Sequence, residues 1–335
     1  MIRLAINGYG RIGRCVLRAL YESDYHQQMR VVVINEPADL ATIVHLTKYD
    51  STHGRFPGKV AAMAGGLQVN DDNITVTHSR HLTELDWSQY GIDLVLECSG
   101  RYDTEQELQR HRQQGAGKVL LSQPGVSPIK PIVWGINQHT LVAADTVASA
   151  ASCTSNCITP AIEVLHRRFT VRTGVITTIH SAMNDQPVID AYHHTDLRKT
   201  RAAGQSIIPV ETGLAAGIGR ILPELDGKFV ARALRVPTIN VSAMELSLDV
   251  GTAASIDTVN QALRAAAEGE LAGILGYSEE PLASCDYNHD PRSGIVDAGQ
   301  TRVIGNIVNV LIWFDNEWAY ANRMLDVIGH WFKIK

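Results

Sequence analysis

The sequence predicts an α/β protein whose first half is a doubly wound, mostly parallel sheet, and three observations carry that prediction. A glycine fingerprint follows the first apolar strand directly. The later apolar runs of the first half are continuous rather than alternating, as strands covered on both faces should be. After Ala151 the pattern changes to a cap-rich helix and then a β-branched run, which marks a second domain. At 335 residues, 45% of them hydrophobic and 19% charged, the chain can bury two cores.

In chain order, "IRLAI" at residues 2–6 is a short apolar strand and "NGYGRIGRCVLRALYE" follows it. Gly8, Gly10 and Gly13 fit G-x-G-x-x-G, with an amphipathic helix starting at once. That arrangement makes a tight turn, lets backbone approach a pyrophosphate, and aims a helix N-terminus at its charge. "MRVVVINEP" is a second buried strand ending at Glu36. A carboxylate there accepts hydrogen bonds from the ribose 2′- and 3′-hydroxyls and repels a 2′-phosphate, which favours NAD over NADP. The alternative is a glutamate that only ends a strand in solvent. "IDLVLECSG" (92–100), "GKVLLSQPG" (117–125), "IVWGIN" (132–137) and "DTVASAA" (145–151) read as further strands. A helix opens on acidic residues after Asp103 and closes at Gly115. The nucleotide-binding domain is thus expected over residues 1–151.

The charge and cysteine content exclude several classes. A net charge of −5 without a Lys/Arg run argues against a nucleic-acid or membrane surface. No apolar run approaches the roughly 18 residues needed to span a bilayer. The start "MIRLAINGYGRIG" lacks the basic and apolar regions of a signal peptide. Cys15, Cys98, Cys153, Cys157 and Cys285 are too sparse and odd in number for a disulfide framework. A cytoplasmic location follows as the expectation.

The second half carries the chemistry. "SCTSNCITPAIEVLHRRF" begins with cap-type residues and becomes an amphipathic helix. Cys153 falls at its N-terminal end, where amides and dipole favour a thiolate and should lower the thiol pKa. Cys157, one turn later among Ile158 and Ala161, suits buried packing. A zinc site would need two more ligands, and the nearest, His193 and His194, belong to a separate polar segment, so no metal is expected. A disulfide along one helix would constrain little. Among thirteen histidines, His180 stands out because it ends the β-branched run "GVITTIH" and opens a long polar segment. A strand end above an irregular loop is a good place for a catalytic base.

The stretches "INGYGRIGR", "ASCTSNCITP", "TTIHS", "ETGLAAGIGRILPELDGK", "ALRVPT" and "WFDNEWAYANR" resemble the glyceraldehyde-3-phosphate dehydrogenase family along nearly the whole length. The resemblance implies an N-terminal Rossmann domain and an α+β catalytic domain, over residues 152–316, with a mostly antiparallel sheet. It also implies a final helix, about 317–335, that returns to the first domain, and a homotetramer. It makes Cys153 the nucleophile toward a small phosphorylated aldehyde and His180 the residue that activates its thiol. The cofactor is then NAD, with Arg11 and Ile12 in the pyrophosphate loop. Arg80 and Ser99 would lie on the adenosine side, Ser122 among the cofactor contacts, and Asn316 at the nicotinamide carboxamide. Ser152, Thr154, Asp185, Lys199, Thr212, Gly213 and Arg235 match substrate and anion positions, where hydroxyl, amide and guanidinium groups would hold phosphate.

Several positions depart from the family pattern. Glu36-Pro37 replaces Asp-Leu, giving a longer ribose carboxylate and a stiffer backbone after it. Met183 stands where a threonine hydroxyl usually serves the substrate phosphate, and Lys199 replaces an arginine fork with a flexible point charge. Glu211 brings a carboxylate beside Thr212, and Gln123-Pro124-Gly125 replaces an "APS"-like stretch. These changes weaken both anion sites without touching the Cys–His pair. They favour water over inorganic phosphate as acyl acceptor, and that profile resembles a branch of the family whose aldehyde is one carbon longer than glyceraldehyde 3-phosphate.

Overall fold

The computed structural model describes residues 1–193 and 195–334, so His194 lies outside the described residues. The chain divides into two compact units, Met1–Ser152 with Ala321–Lys335, and Cys153–Tyr320.

The first unit contains strands β1 (Ile2–Asn7), β2 (Met29–Asn35), β3 (Tyr49–Asp50), β4 (Gly54–Arg55), β5 (Val60–Met63), β6 (Gly66–Val69), β7 (Asp72–Thr77), β8 (Leu94–Glu97), β9 (Lys118–Leu121), β10 (Lys130–Pro131) and β11 (Val147–Ser149). Its helices are α1 (Arg11–Tyr21), α2 (Leu40–Lys48) and α3 (Glu105–Gln113). Nine strands form one sheet in the order β10-β11-β9-β8-β1-β2-β7-β6-β5. It is parallel from β10 to β7, and β6 and β5 extend it antiparallel. Leu4, Ile6, Val33, Ile34, Val95 and Leu120 are fully buried, which is why these runs lack alternation. Thr104 caps α3 in a reciprocal box with Glu107.

One expected strand is absent. Over residues 132–137 the chain turns, because the Asn137 side chain accepts from the Val133 amide (2.7 Å) and donates to the Pro131 carbonyl (2.8 Å). Gly135 takes φ +89 in the same turn. The β5–β6–β7 ribbon is an addition: β7 alternates in burial, and the chain turns from β6 into β7 at Asn70, which sits at φ +52.

The C-terminal helix α7 (Trp318–Trp331) contributes its residues from Ala321 onward to the first unit. There Tyr25 donates to the Asp326 carboxylate, His330 Nε2 meets the Gln138 carbonyl at 3.2 Å, and Lys118 Nζ lies 4.7 Å from the Trp331 ring centre.

The second unit contains α4 (Cys153–Phe169), β12 (Val171–His180), β13 (Ile208–Val210), α5 (Leu214–Ile221), β14 (Phe229–Arg235), β15 (Ser242–Val250), α6 (Ile256–Glu268), β16 (Leu275–Ser278), β17 (Gly294–Ile304) and β18 (Ile307–Phe314). Seven strands run in the order β13-β14-β12-β15-β18-β17-β16, with four of six pairings antiparallel. The mixed α/β class, a Rossmann-type sheet followed by a mostly antiparallel one, is the class the sequence predicts.

Candidate active site

The first unit forms a cavity of about 320 Å³ at the carboxyl ends of β1, β2, β7 and β8. Gly8, Gly10, Glu36, Arg80 and Ser99 line it. Gly8 holds φ +87, and a Cβ there would stand 2.5 Å from the Ser99 Cα. Gly13 would place a Cβ 2.4 Å from the Gly8 carbonyl oxygen, so the turn and the helix close on each other only without side chains. Gly10 is the N-cap of α1, with open space where its side chain would be and no capping side chain. The first turn of α1, including Arg11 and Ile12, therefore offers amides that suit an anion. The Arg11 guanidinium is directed to Asp50, which leaves backbone as its means of contacting a phosphate. Burial raises the Asp50 pKa, but the Arg11 bond and the amides of His53 and Thr52 outweigh it and hold the carboxyl well below the usual range.

Glu36 accepts from the Tyr9 amide at 2.9 Å and the Ala38 amide at 3.2 Å, so its carboxylate is fixed at the cavity wall rather than loose in solvent. A fixed carboxylate beside a glycine turn fits the adenosine ribose of NAD. Ser122 is half-buried and does not line the cavity itself, but it is hydrogen-bonded to the thiol of Cys98, which does. Asn35, Ser79 and Tyr102 also line the cavity. Only Asn35 had a signal in the sequence, as the residue before Glu36 at a strand end. Gly8→Ala should weaken NAD binding at least about tenfold and lower Tm by about 5 °C or more, since both φ and the Ser99 contact oppose a Cβ. Fluorescence titration and thermal melting check this.

In the second unit Cys153 opens α4, and its Sγ lies 3.9 Å from His180 Nε2. His180 Nδ1 lies 2.8 Å from the Ser181 carbonyl oxygen. A carbonyl can only accept, so Nδ1 carries the hydrogen and Nε2 presents a lone pair to the thiol. The ring is buried, edge-on to Phe314. Burial pushes the His180 pKa down to about 4. Burial likewise pushes the Cys153 thiol up to about 11, against the pull of the Thr154 amide and the Arg235 charge. This corrects the expectation of a lowered thiol pKa: the helix terminus does favour the thiolate, but desolvation outweighs it. The resting pair is neutral thiol and neutral imidazole. Cys157 is fully buried, with a thiol pKa raised further still by burial.

Arg235 ends β14 directly beside His180 in the parallel register. Its Nη1 is buried without a hydrogen-bond partner among the described residues. Asp185 and Lys199 pair at 2.7 Å. Burial raises the Asp185 pKa, yet Lys199 and then Arg235 lower it overall. Thr212 Oγ1 accepts from the Leu214 amide at 3.2 Å, and Gly213 is the N-cap of α5. That helix meets the first turn of α4, where a Cβ at Gly217 would lie 3.6 Å from Ser155 Oγ. Ser152 and Thr154 flank Cys153 and are half-buried. Met183 is exposed, its amide donating to Gln186 Oε1 at 3.2 Å.

Asn316 is buried, and its Oδ1 accepts from Ser181 Oγ at 3.0 Å and Ser242 Oγ at 2.8 Å. The amide group is thus held with its NH₂ as the end that donates. Ser181 therefore orients two groups at once, His180 through its carbonyl and Asn316 through its hydroxyl. Its only mark in the sequence is its place after His180.

Residues 2–105 match the NAD binding domain of glyceraldehyde 3-phosphate dehydrogenase, and residues 152–316 match that enzyme's C-terminal domain. The chain belongs to the glyceraldehyde-3-phosphate dehydrogenase family. It is an NAD-dependent oxidoreductase, and its cofactor is NAD. Among the described residues no helix is long and apolar enough to cross a membrane.

Proposed function

We propose that this enzyme oxidises D-erythrose 4-phosphate to 4-phosphoerythronate, a step toward pyridoxal 5′-phosphate. Cys153 Sγ adds to the aldehyde carbon as its proton passes to His180 Nε2, giving a thiohemiacetal. The Cys153 amide and the His180 ring stabilise the oxyanion. NAD⁺ supplies the hydride acceptor, and the Asn316 NH₂ suits its carboxamide oxygen. The thioacyl group on Cys153 then leaves to water, so aldehyde, water and NAD⁺ become carboxylate, NADH and two protons.

The observation that carries the substrate reading is the Lys199–Asp185 ion pair. A lysine already matched by a carboxylate is a poor site for inorganic phosphate, which disfavours phosphorolysis. Arg235, with a buried guanidinium nitrogen still to be matched, remains for the phosphate of the substrate itself. Thr212 and Gly213 at the start of α5 complete that side, and Met183 offers it no hydroxyl.

Assays of NAD⁺ reduction with both aldehydes, with and without inorganic phosphate, test this. The four-carbon aldehyde should turn over faster and without added phosphate. Faster turnover of glyceraldehyde 3-phosphate that strictly needs phosphate would assign the phosphorylating reaction instead. The family resemblance supports a homotetramer, and the sparse, odd cysteine set supports a cytoplasmic one. Light scattering should then return four times the 36.6 kDa chain.

A further inference from the structure

Behind the NAD cavity runs a string of buried side-chain hydrogen bonds that the chemistry above does not use. Glu97, at the end of β8, and His111, in α3, are both 0% exposed. Trp87 Nε1, which can only donate, points at His111 Nδ1 from 3.0 Å. Nδ1 is therefore the bare nitrogen, and Nε2 carries the hydrogen and donates to Glu97 Oε2 at 2.8 Å.

The other end of the string has the same kind of anchor. The Ser79 amide, also an obligate donor, points at Asn35 Oδ1 from 2.9 Å. Asn35 Nδ2 then donates to Asn7 Oδ1 at 2.8 Å, and Asn7 Nδ2 donates to Glu97 Oε2 at 2.6 Å. Both directions end on Glu97, whose Oε1 also accepts from the Ser99 amide at 2.8 Å. An anionic carboxylate satisfies all three donors at once. A neutral amide in its place could not.

The location gives the string its consequence. The main-chain ladder between these strand ends closes with Cys98 N to Asn7 O, Gly8 N to Asn35 O and Glu36 N to Thr77 O. Beyond those rungs the loops run on as separate walls, and Asn7, Asn35, Ser79 and Ser99 all face the cavity. Side chains converging on Glu97 tie the walls from behind, alongside Glu36 on the Tyr9 amide and Arg101 on the Arg80 carbonyl.

We infer that Glu97 is a positioning residue for NAD, and that His111, locked in one tautomer by Trp87, sets its orientation. The inference rests on NAD as cofactor and is independent of which aldehyde is oxidised. NAD binding to the free enzyme therefore tests it separately from the substrate reading.

In Glu97→Gln the new NH₂ must face at least one donor. NAD should bind about tenfold more weakly and its KM rise about equally, since charge-assisted bonds of this kind are worth about one decade or more. Turnover should stay within about threefold and the aldehyde KM should not move, because the Cys153 site is untouched. At His111, glutamine places a donor near the Nε2 position and leucine places none. His111→Gln should keep NAD binding within about threefold, while His111→Leu should lose about tenfold.

In the unaltered enzyme, ¹⁵N NMR should show the His111 ring with its hydrogen on Nε2. Unchanged NAD binding in folded Glu97→Gln overturns the inference, as do equal effects of glutamine and leucine, or a hydrogen on Nδ1. If Glu97→Gln does not fold, the histidine pair and the tautomer decide the matter on their own.

Discussion

Replacing Cys153 by serine is expected to lower kcat by at least about 10⁴-fold, with NAD binding within twofold of the unaltered enzyme. Serine keeps the size and the position at the head of α4 but not the chemistry. An alkoxide is far harder to form than a thiolate, and His180, with its pKa near 4, is too weak a base to help a hydroxyl much. The acyl stage fails as well, since an oxygen ester is less reactive toward water than a thioester. Steady-state assays of the purified variant measure the loss, and more than about 1% residual kcat would place the nucleophile elsewhere. The same geometry predicts which thiol iodoacetate takes. Cys153 is only partly buried and Cys157 is 0% exposed, so peptide mapping should find the label on Cys153 alone. Because burial holds the Cys153 thiol at about 11, the labelling rate of the free enzyme should climb steadily from pH 7 to about 10.

What the sequence makes legible here is local, and what it hides is tertiary. The fingerprint is readable because Gly8 and Gly13 each answer a constraint set within the turn or by a strand end next to it, while Gly10 meets open space. Cys153 and His180 are readable for a similar reason: one opens a helix and the other closes a strand. "IVWGIN" is misleading, since an apolar run does not reveal that Asn137 will fold back onto Val133 and Pro131. The direction of the thiol shift is hidden too. Desolvation of Cys153 in the folded chain reverses the preference that the helix terminus alone would give. Glu97 is an intermediate case. An acid at the end of the apolar run "IDLVLE" is a visible anomaly, but its partners Asn7, His111 and Ser99 can only be found once the sheet has assembled.

His180→Asn is expected to lower kcat/KM by about 10²–10⁴-fold near neutral pH and, more tellingly, to change the shape of its pH dependence. In the unaltered enzyme the competent pair is neutral, a bare His180 Nε2 facing a protonated thiol across 3.9 Å. That form persists above the His180 pKa of about 4 and below the Cys153 pKa of about 11. Activity should therefore be nearly flat between about pH 5 and 10, falling below that range as the ring takes a proton and can no longer accept one. Burial raises the thiol and lowers the imidazole, so both shifts oppose ionisation of the pair before attack. They favour proton transfer to His180 Nε2 in step with sulfur–carbon bond formation. Without the ring, only pre-formed thiolate attacks, so the variant should gain about tenfold per pH unit until the thiol ionises. A His180→Asn enzyme with a flat profile, or an unaltered enzyme with an acid limb near pH 6–7 that this substitution removes, would show that the pair does not rest neutral.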